Sequence, residues 1–314
     1  MQKDCLMASA DIPFVSRPAL PSGARSFALL LLTGSLLSLA VLLSKLAATQ
    51  SAPMIWYLAF AMGGSGAILT ADAVRRGEAM GRWQAFVPYS LVAGALMALG
   101  SMLGYVSVGR VGASFVSVAI AFPTLLTYLL ALAFGLEGLR ANRVAGVLAG
   151  LVGGLWLALA KGGQMPVSDL PAVAAASAMP VVLAVGNVFR SRYWPKGAQP
   201  RLLAGLMLLS GAAISLPVAY LYDGPASVAQ LWQGTTLPLV LGVAVLSFVA
   251  QYLAFFRLQQ LAGPVYLSQI GSVAAIVGSL VAFTVLGEAV FAGFLPAAIC
   301  IALGLMFFQL PRKA

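Results

Sequence analysis

Stretches of about twenty uncharged, mostly apolar residues recur along this chain with only short connections between them, and few folds can use them. At 1.5 Å of rise per residue, each stretch matches the roughly 30 Å hydrocarbon layer of a bilayer. Inside lipid the backbone must satisfy its own hydrogen bonds, so each stretch reads as a helix. Counting them gives ten spans, at about 26–46, 52–71, 84–105, 111–134, 142–160, 168–189, 202–222, 235–256, 264–286 and 289–310. Composition agrees: 61% of the 314 residues are apolar and 8% charged, against roughly 25% charged in soluble domains. The expected class is an all-α integral membrane protein of ten transmembrane helices.

Several chemistries are excluded at once. Histidine is absent and cysteine occurs only as Cys5 and Cys300. That removes imidazole metal sites, His-based proton relays, Ser/His/Asp or Cys/His nucleophiles and Cys/His zinc clusters. No Gly-x-x-x-x-Gly-Lys-Ser/Thr loop is present, Lys161-Gly162-Gly163 lacking that spacing, so direct ATP drive is not expected. No catalytic residue, metal or cofactor is assigned.

Residues 1–25 mix charges with Pro13, Pro18 and Pro21 and have no apolar core, so they read as a polar tail, not a signal peptide. The net charge of +10 is explained by topology. With a cytoplasmic N-terminus, fifteen of the eighteen Lys and Arg fall in inside segments, Arg190, Arg192, Lys196 and Arg201 among them. Lys45, Arg110 and Lys161 fall outside. Cytoplasmic loops carry such an excess, so both termini are expected in the cytoplasm of a cell lined by this inner membrane, and no nucleic-acid partner is needed.

A repeat organises the spans. A shift of 151 residues aligns Gly112 with Gly263, Ser117 with Ser268, Ala131 with Ala282, Glu137 with Glu288 and Gly153 with Gly304. The glutamates carry most weight, because the chain has only eight acids. The expected units are 26–160 and 168–310, two five-helix repeats. An odd number of spans per unit inverts the second copy, an arrangement of secondary transporters with a site at the repeat interface.

The segments Gly112 to Gly154 and Gly263 to Leu305 each hold a small residue at a span start, an apolar helix, a Gly/Glu helix end and a glycine-bearing last span. In this the chain resembles the drug/metabolite transporter superfamily and its EamA-type members. That family pattern places a proline in the fourth and ninth spans; here Pro123 has Ala274 as its counterpart. The resemblance implies a carrier that moves small metabolites outward, often amino acids or related compounds, through a cavity between two halves.

Polar residues inside the spans are the candidate solute contacts. No Asp or Glu lies well inside one, which disfavours proton-coupled efflux of lipophilic cations. Gln251 on the eighth span and Gln269 on the ninth fall at similar depth, with Ser247 one turn before Gln251. They read either as an interhelical bond or as a cavity wall for a neutral or zwitterionic solute. Asn187 is a similar case, and Tyr128 and Tyr252 lie deep enough to line a cavity. Trp56, Tyr57 and Tyr105, near span ends, read as an interfacial belt. Lys45 either snorkels to headgroups or contacts an anion. Glu137 and Glu288 read as helix-end anchors, Pro123 and Pro180 as kinks or gating points, and Gly146, Gly150 and Gly154 as a packing groove.

The expected function is thus alternating-access export of a small neutral or zwitterionic metabolite, with the lipid bilayer as surroundings and a homodimer left open. The alternatives are efflux of cationic drugs and a non-transport membrane scaffold or intramembrane enzyme.

Overall fold

In the computed structural model, residues 23–78, 83–135, 138–267 and 269–309 are described. Among them the regular structure is helical throughout: α1 (Gly23–Thr49), α2 (Met54–Arg75), α3 (Trp83–Val111), α4 (Ala113–Ala119), α5 (Phe122–Ala133), α6 (Ala141–Gly162), α7 (Leu170–Arg192), α8 (Pro200–Tyr222), α9 (Thr236–Leu267), α10 (Ile270–Thr284) and α11 (Phe294–Gln309). Eight of the helical segments are long and apolar enough to cross a membrane, α4 and α5 counting as one, while α10 and α11 are shorter apolar helices. Apolar side chains also face outward: Leu148, Val152, Leu155 and Leu159 on α6, Leu239 and Leu246 on α9, and Ile276 and Leu280 on α10 are all more than half exposed. A surface of that kind suits lipid, and the chain has the build of a multi-pass helical membrane protein.

Helix boundaries differ from the apolar count in two places. The stretch at 111–134 divides at Ile120–Ala121 into α4 and α5, because Pro123 sits at the first turn of α5 and has no N–H for the preceding turn. Gly271 on α10 packs against the backbone at this break, over the Ile120 carbonyl. By contrast α9 does not stop at residue 256. It continues through Arg257 to Leu267, and Arg257 is exposed on its side. Helix α7 likewise runs unbroken through Pro180.

The helices pack in antiparallel pairs. Helix α2 lies along α8 with both ends locked by charge. At one end Asp223, just past α8, accepts from the Ile55 and Trp56 amides at 2.8 and 3.1 Å, satisfying donors at the start of α2. At the other, Arg201 of α8 meets Asp72 at 3.1 Å and Glu78 at 3.4 Å. Between them Gly66 and Gly205 bring the two backbones together: a Cβ on Gly66 would lie 3.0 Å from the Gly205 carbonyl. Helices α6 and α11 meet in the same way, a Cβ on Gly304 lying 2.7 Å from the Gly146 carbonyl and one on Gly153 lying 3.0 Å from that of Ala297. Small residues are what allow helices to approach this closely in lipid. Helix α1 packs along α9 and α3 along α7, with α4 against α10.

Candidate functional site

A cavity of about 130 Å³ opens between helices α1, α3, α4, α5, α7, α9 and α10. Among the described residues, none of α2, α6, α8 or α11 lines it. Most of the lining is apolar or small, including Leu37, Val41, Met97, Gly100, Val116 and Phe248. The larger polar side chains are on α7 and α9, and Ser44, Ser101, Tyr105, Thr124 and Thr127 add hydroxyls from α1, α3 and α5.

Of the residues expected from sequence, Asn187, Gln251, Tyr252 and Pro123 line this cavity. Gln251 is 3% exposed and its Oε1 has no hydrogen-bond partner. Tyr252 packs edge-on to Phe248 at 5.6 Å and tilts against Phe255 at 6.2 Å. Asn187 donates through Nδ2 to Thr127 Oγ1 at 3.4 Å, tying α7 to α5.

Four other expected residues stand elsewhere. Gln269 precedes α10, between the lining residues Leu267 and Ile270 but outside the wall itself, and it makes no amide pair with Gln251. Tyr128 is buried as a tie for the α5–α6 connection: its hydroxyl donates to the Gly138 carbonyl and accepts from the Arg140 amide, both at 3.0 Å. Its ring lies 5.4 Å from the Arg143 guanidinium carbon. Pro180 is buried within α7 and away from the cavity. Lys45 does not line the cavity. Its ammonium donates to the carbonyls of Gly109 at 3.0 Å and Val108 at 3.5 Å, at the end of α3.

Glu288 closes the same junction. Its carboxylate accepts from the Ala113 and Ser114 amides at 2.7 and 3.0 Å, capping α4 from the far end of α10. Gly112, between α3 and α4, has φ of +93°, and a Cβ there would stand 2.9 Å from Glu288 Oε2. Glycine is required on both counts. Glu137 lies outside the described residues.

The aromatic belt is corrected in part. Tyr57 is fully buried, its hydroxyl near the Val240 carbonyl at 3.4 Å, and Tyr105 is buried beside it and lines the cavity. Trp56, beside Tyr57 in the first turn of α2, is only partly buried, its indole donating to the Gly224 carbonyl at 3.0 Å. Distance along a span gives depth, but the face a side chain takes is set by neighbouring helices.

The residue that sequence reading missed is Arg190. Counted there as a loop charge, it sits in the last turns of α7, 3% exposed, and faces the cavity. Its Nη2 donates to Asn187 Oδ1 at 2.5 Å and its guanidinium lies 5.5 Å from the Phe255 ring centre. Its Nε has no partner, and among the described residues no carboxylate pairs with it. The available signal was the spacing: Gly186, Asn187 and Arg190 share one helical face. No cluster of His, Cys, Asp and Glu among the described residues could hold a metal ion.

No family model matches this chain, and no curated protein does. Solved structures do: one described as "Crystal structure of protein" superposes with a TM-score of 0.63 at 20% identity, covering 93% of this chain and 99% of that one. At that identity the likeness extends to the fold alone.

Proposed function

We propose that this chain is a secondary transporter of the drug/metabolite transporter type. It moves a small organic metabolite out across the inner membrane by alternating access, through ten spans built as two inverted five-helix repeats with both termini cytoplasmic. The observation that carries the reading is the make-up of the cavity wall. Taking α4 and α5 together, the wall uses the first, third and fourth helices of the first unit (α1, α3, α4/α5) and the same three of the second (α7, α9, α10).

The packing supports the repeat. Helix α1 on α9 and α7 on α3 are one contact seen twice under exchange of the units, and α2/α8, α4/α10 and α6/α11 each pair a helix with its own counterpart. The 151-residue shift makes Gly304 over Gly146 and Gly153 over Ala297 equivalent contacts. Antiparallel self-pairing is what a two-fold axis in the membrane plane generates, and the interface around that axis is where such carriers bind solute.

Cationic drug efflux fits less well, because among the described residues the wall holds a cation and no acid. A scaffold needs no such cavity. The test is counterflow in proteoliposomes across a panel of amino acids, hydroxy acids, nucleosides and quaternary amines. Saturable exchange of one small organic class supports the reading, and no exchange with any class from folded protein refutes it.

A further inference from the structure

Among the described residues, Arg190 is the one charged side chain in the cavity wall. A buried guanidinium is costly unless something offsets it, and charges within a membrane bundle mark solute pathways for that reason. Here the compensation inside the protein is partial. Asn187 supplies one neutral acceptor and Phe255 one ring face, while Nε points to no partner. Arginine's donors form a planar fork that fits a carboxylate edge-on, and one of the donors on this fork is idle.

Neighbouring residues keep that group in the cavity. Arg190 Nη1 lies 3.2 Å from where a Cβ on Gly186 would stand, so the residue one turn earlier leaves room for the head group to fold back. Asn187, held by Thr127, fixes the opposite side. The 151-residue counterparts of Asn187 and Arg190 are Leu36 and Leu39, so the cavity has one such fork and not two. In the same wall, Gln251 precedes Phe255 by one turn of α9, and its unpaired Oε1 is an acceptor awaiting a donor.

We infer that the solute is a small organic acid carried as a monoanion, its carboxylate on Arg190 and a neutral donor such as a hydroxyl toward Gln251. This rests on the carrier reading above and narrows its solute class. A zwitterion would bring an ammonium into a wall that has a cation and no acid. A neutral amide would leave the guanidinium without its counter-charge.

The test uses two matched triplets: lactate, alanine and lactamide, and phenyllactate, phenylalanine and phenyllactamide. Thermal stabilisation and counterflow are measured for the parent, Arg190→Gln and Arg190→Lys. In the parent the hydroxy acid of at least one triplet binds at least tenfold more tightly than its amide and its amino acid. Arg190→Gln abolishes that preference, weakening the acid by roughly ten- to a hundredfold, and melts no lower than the parent because it removes an uncompensated buried charge. Arg190→Lys keeps part of the preference. The inference is overturned if the parent does not discriminate acid from amide, or if Arg190→Gln melts lower yet binds the acid as before. Acid binding through Arg190 without counterflow upholds the site and rejects the carrier. Counterflow with no acid preference does the reverse.

Discussion

The ammonium of Lys45 and the carboxylate of Glu288 stand 4.0 Å apart, but each is engaged chiefly with backbone. Lys45 meets the last carbonyls of α3 and Glu288 the first amides of α4. Those are the negative and positive ends of two helix dipoles facing each other across Gly112. The pair therefore fixes a chain reversal between α3 and α4 from two other helices, α1 and the end of α10.

Glu288→Gln is expected to lower stability by about 1–2 kcal/mol, the scale of a lost charged cap, with solute affinity unchanged in the protein that folds. A double-mutant cycle with Lys45→Met should give a coupling smaller than the cost of either single variant, since each charge is engaged chiefly with backbone. Melting temperatures of the four proteins decide it. Normal stability with transport abolished in Glu288→Gln would put the carboxylate into the transport cycle.

Gln251→Leu and Gln269→Leu should behave differently. Gln251 Oε1 is buried and unpartnered, so leucine there should leave melting unchanged or raise it while weakening solute binding by about 1–3 kcal/mol. Gln269 is outside the wall, and its leucine variant should bind as the parent does. Substrate-induced thermal shifts separate the two. Equal loss in both variants would mean that the Gln269 side chain also reaches the solute.

The crossing of α6 and α11 predicts a contrast between glycines. Gly304→Leu must push apart backbones that leave no space for a Cβ, at a cost of about 1–3 kcal/mol. Gly242→Ala in α9 meets nothing within 4 Å and should gain up to about 1 kcal/mol in helix propensity. Thermal melts of both variants test whether α6 and α11 are in contact at all.

What the sequence made legible was governed by length and period. Twenty-residue apolar runs have one stable form in lipid, so α1 to α8 fall where hydropathy puts them, and Pro123 marks the break in the fourth stretch. Arg257 and Arg190 were both read as loop charges because a rule based on charge position assumes that a cation near a span end faces water. One does face outward, on a helix that continues past it; the other turns into the cavity. Tyr57 and Tyr105 were misplaced for the same reason, since helix rotation depends on partners 40 or more residues away and leaves no local trace. The pairing of α6 with α11 was legible in part, as the groove at Gly146 and Gly150 on which Gly304 packs; the identity of the partner helix was not.

Alternating access is tested most directly by two cysteines at opposite ends of the wall, Ser44→Cys near the end of α1 and Ser191→Cys near the end of α7. Each is placed singly in a background lacking Cys5 and Cys300, in oriented vesicles, and labelled with membrane-impermeant maleimide from either side. The expected result is reciprocal reactivity: Ser191→Cys labels from the cytoplasmic side and Ser44→Cys from the external side, and a transported solute that protects one exposes the other. Reactivities that ignore every solute, or rise and fall together, would contradict a carrier whose single cavity opens to one side at a time.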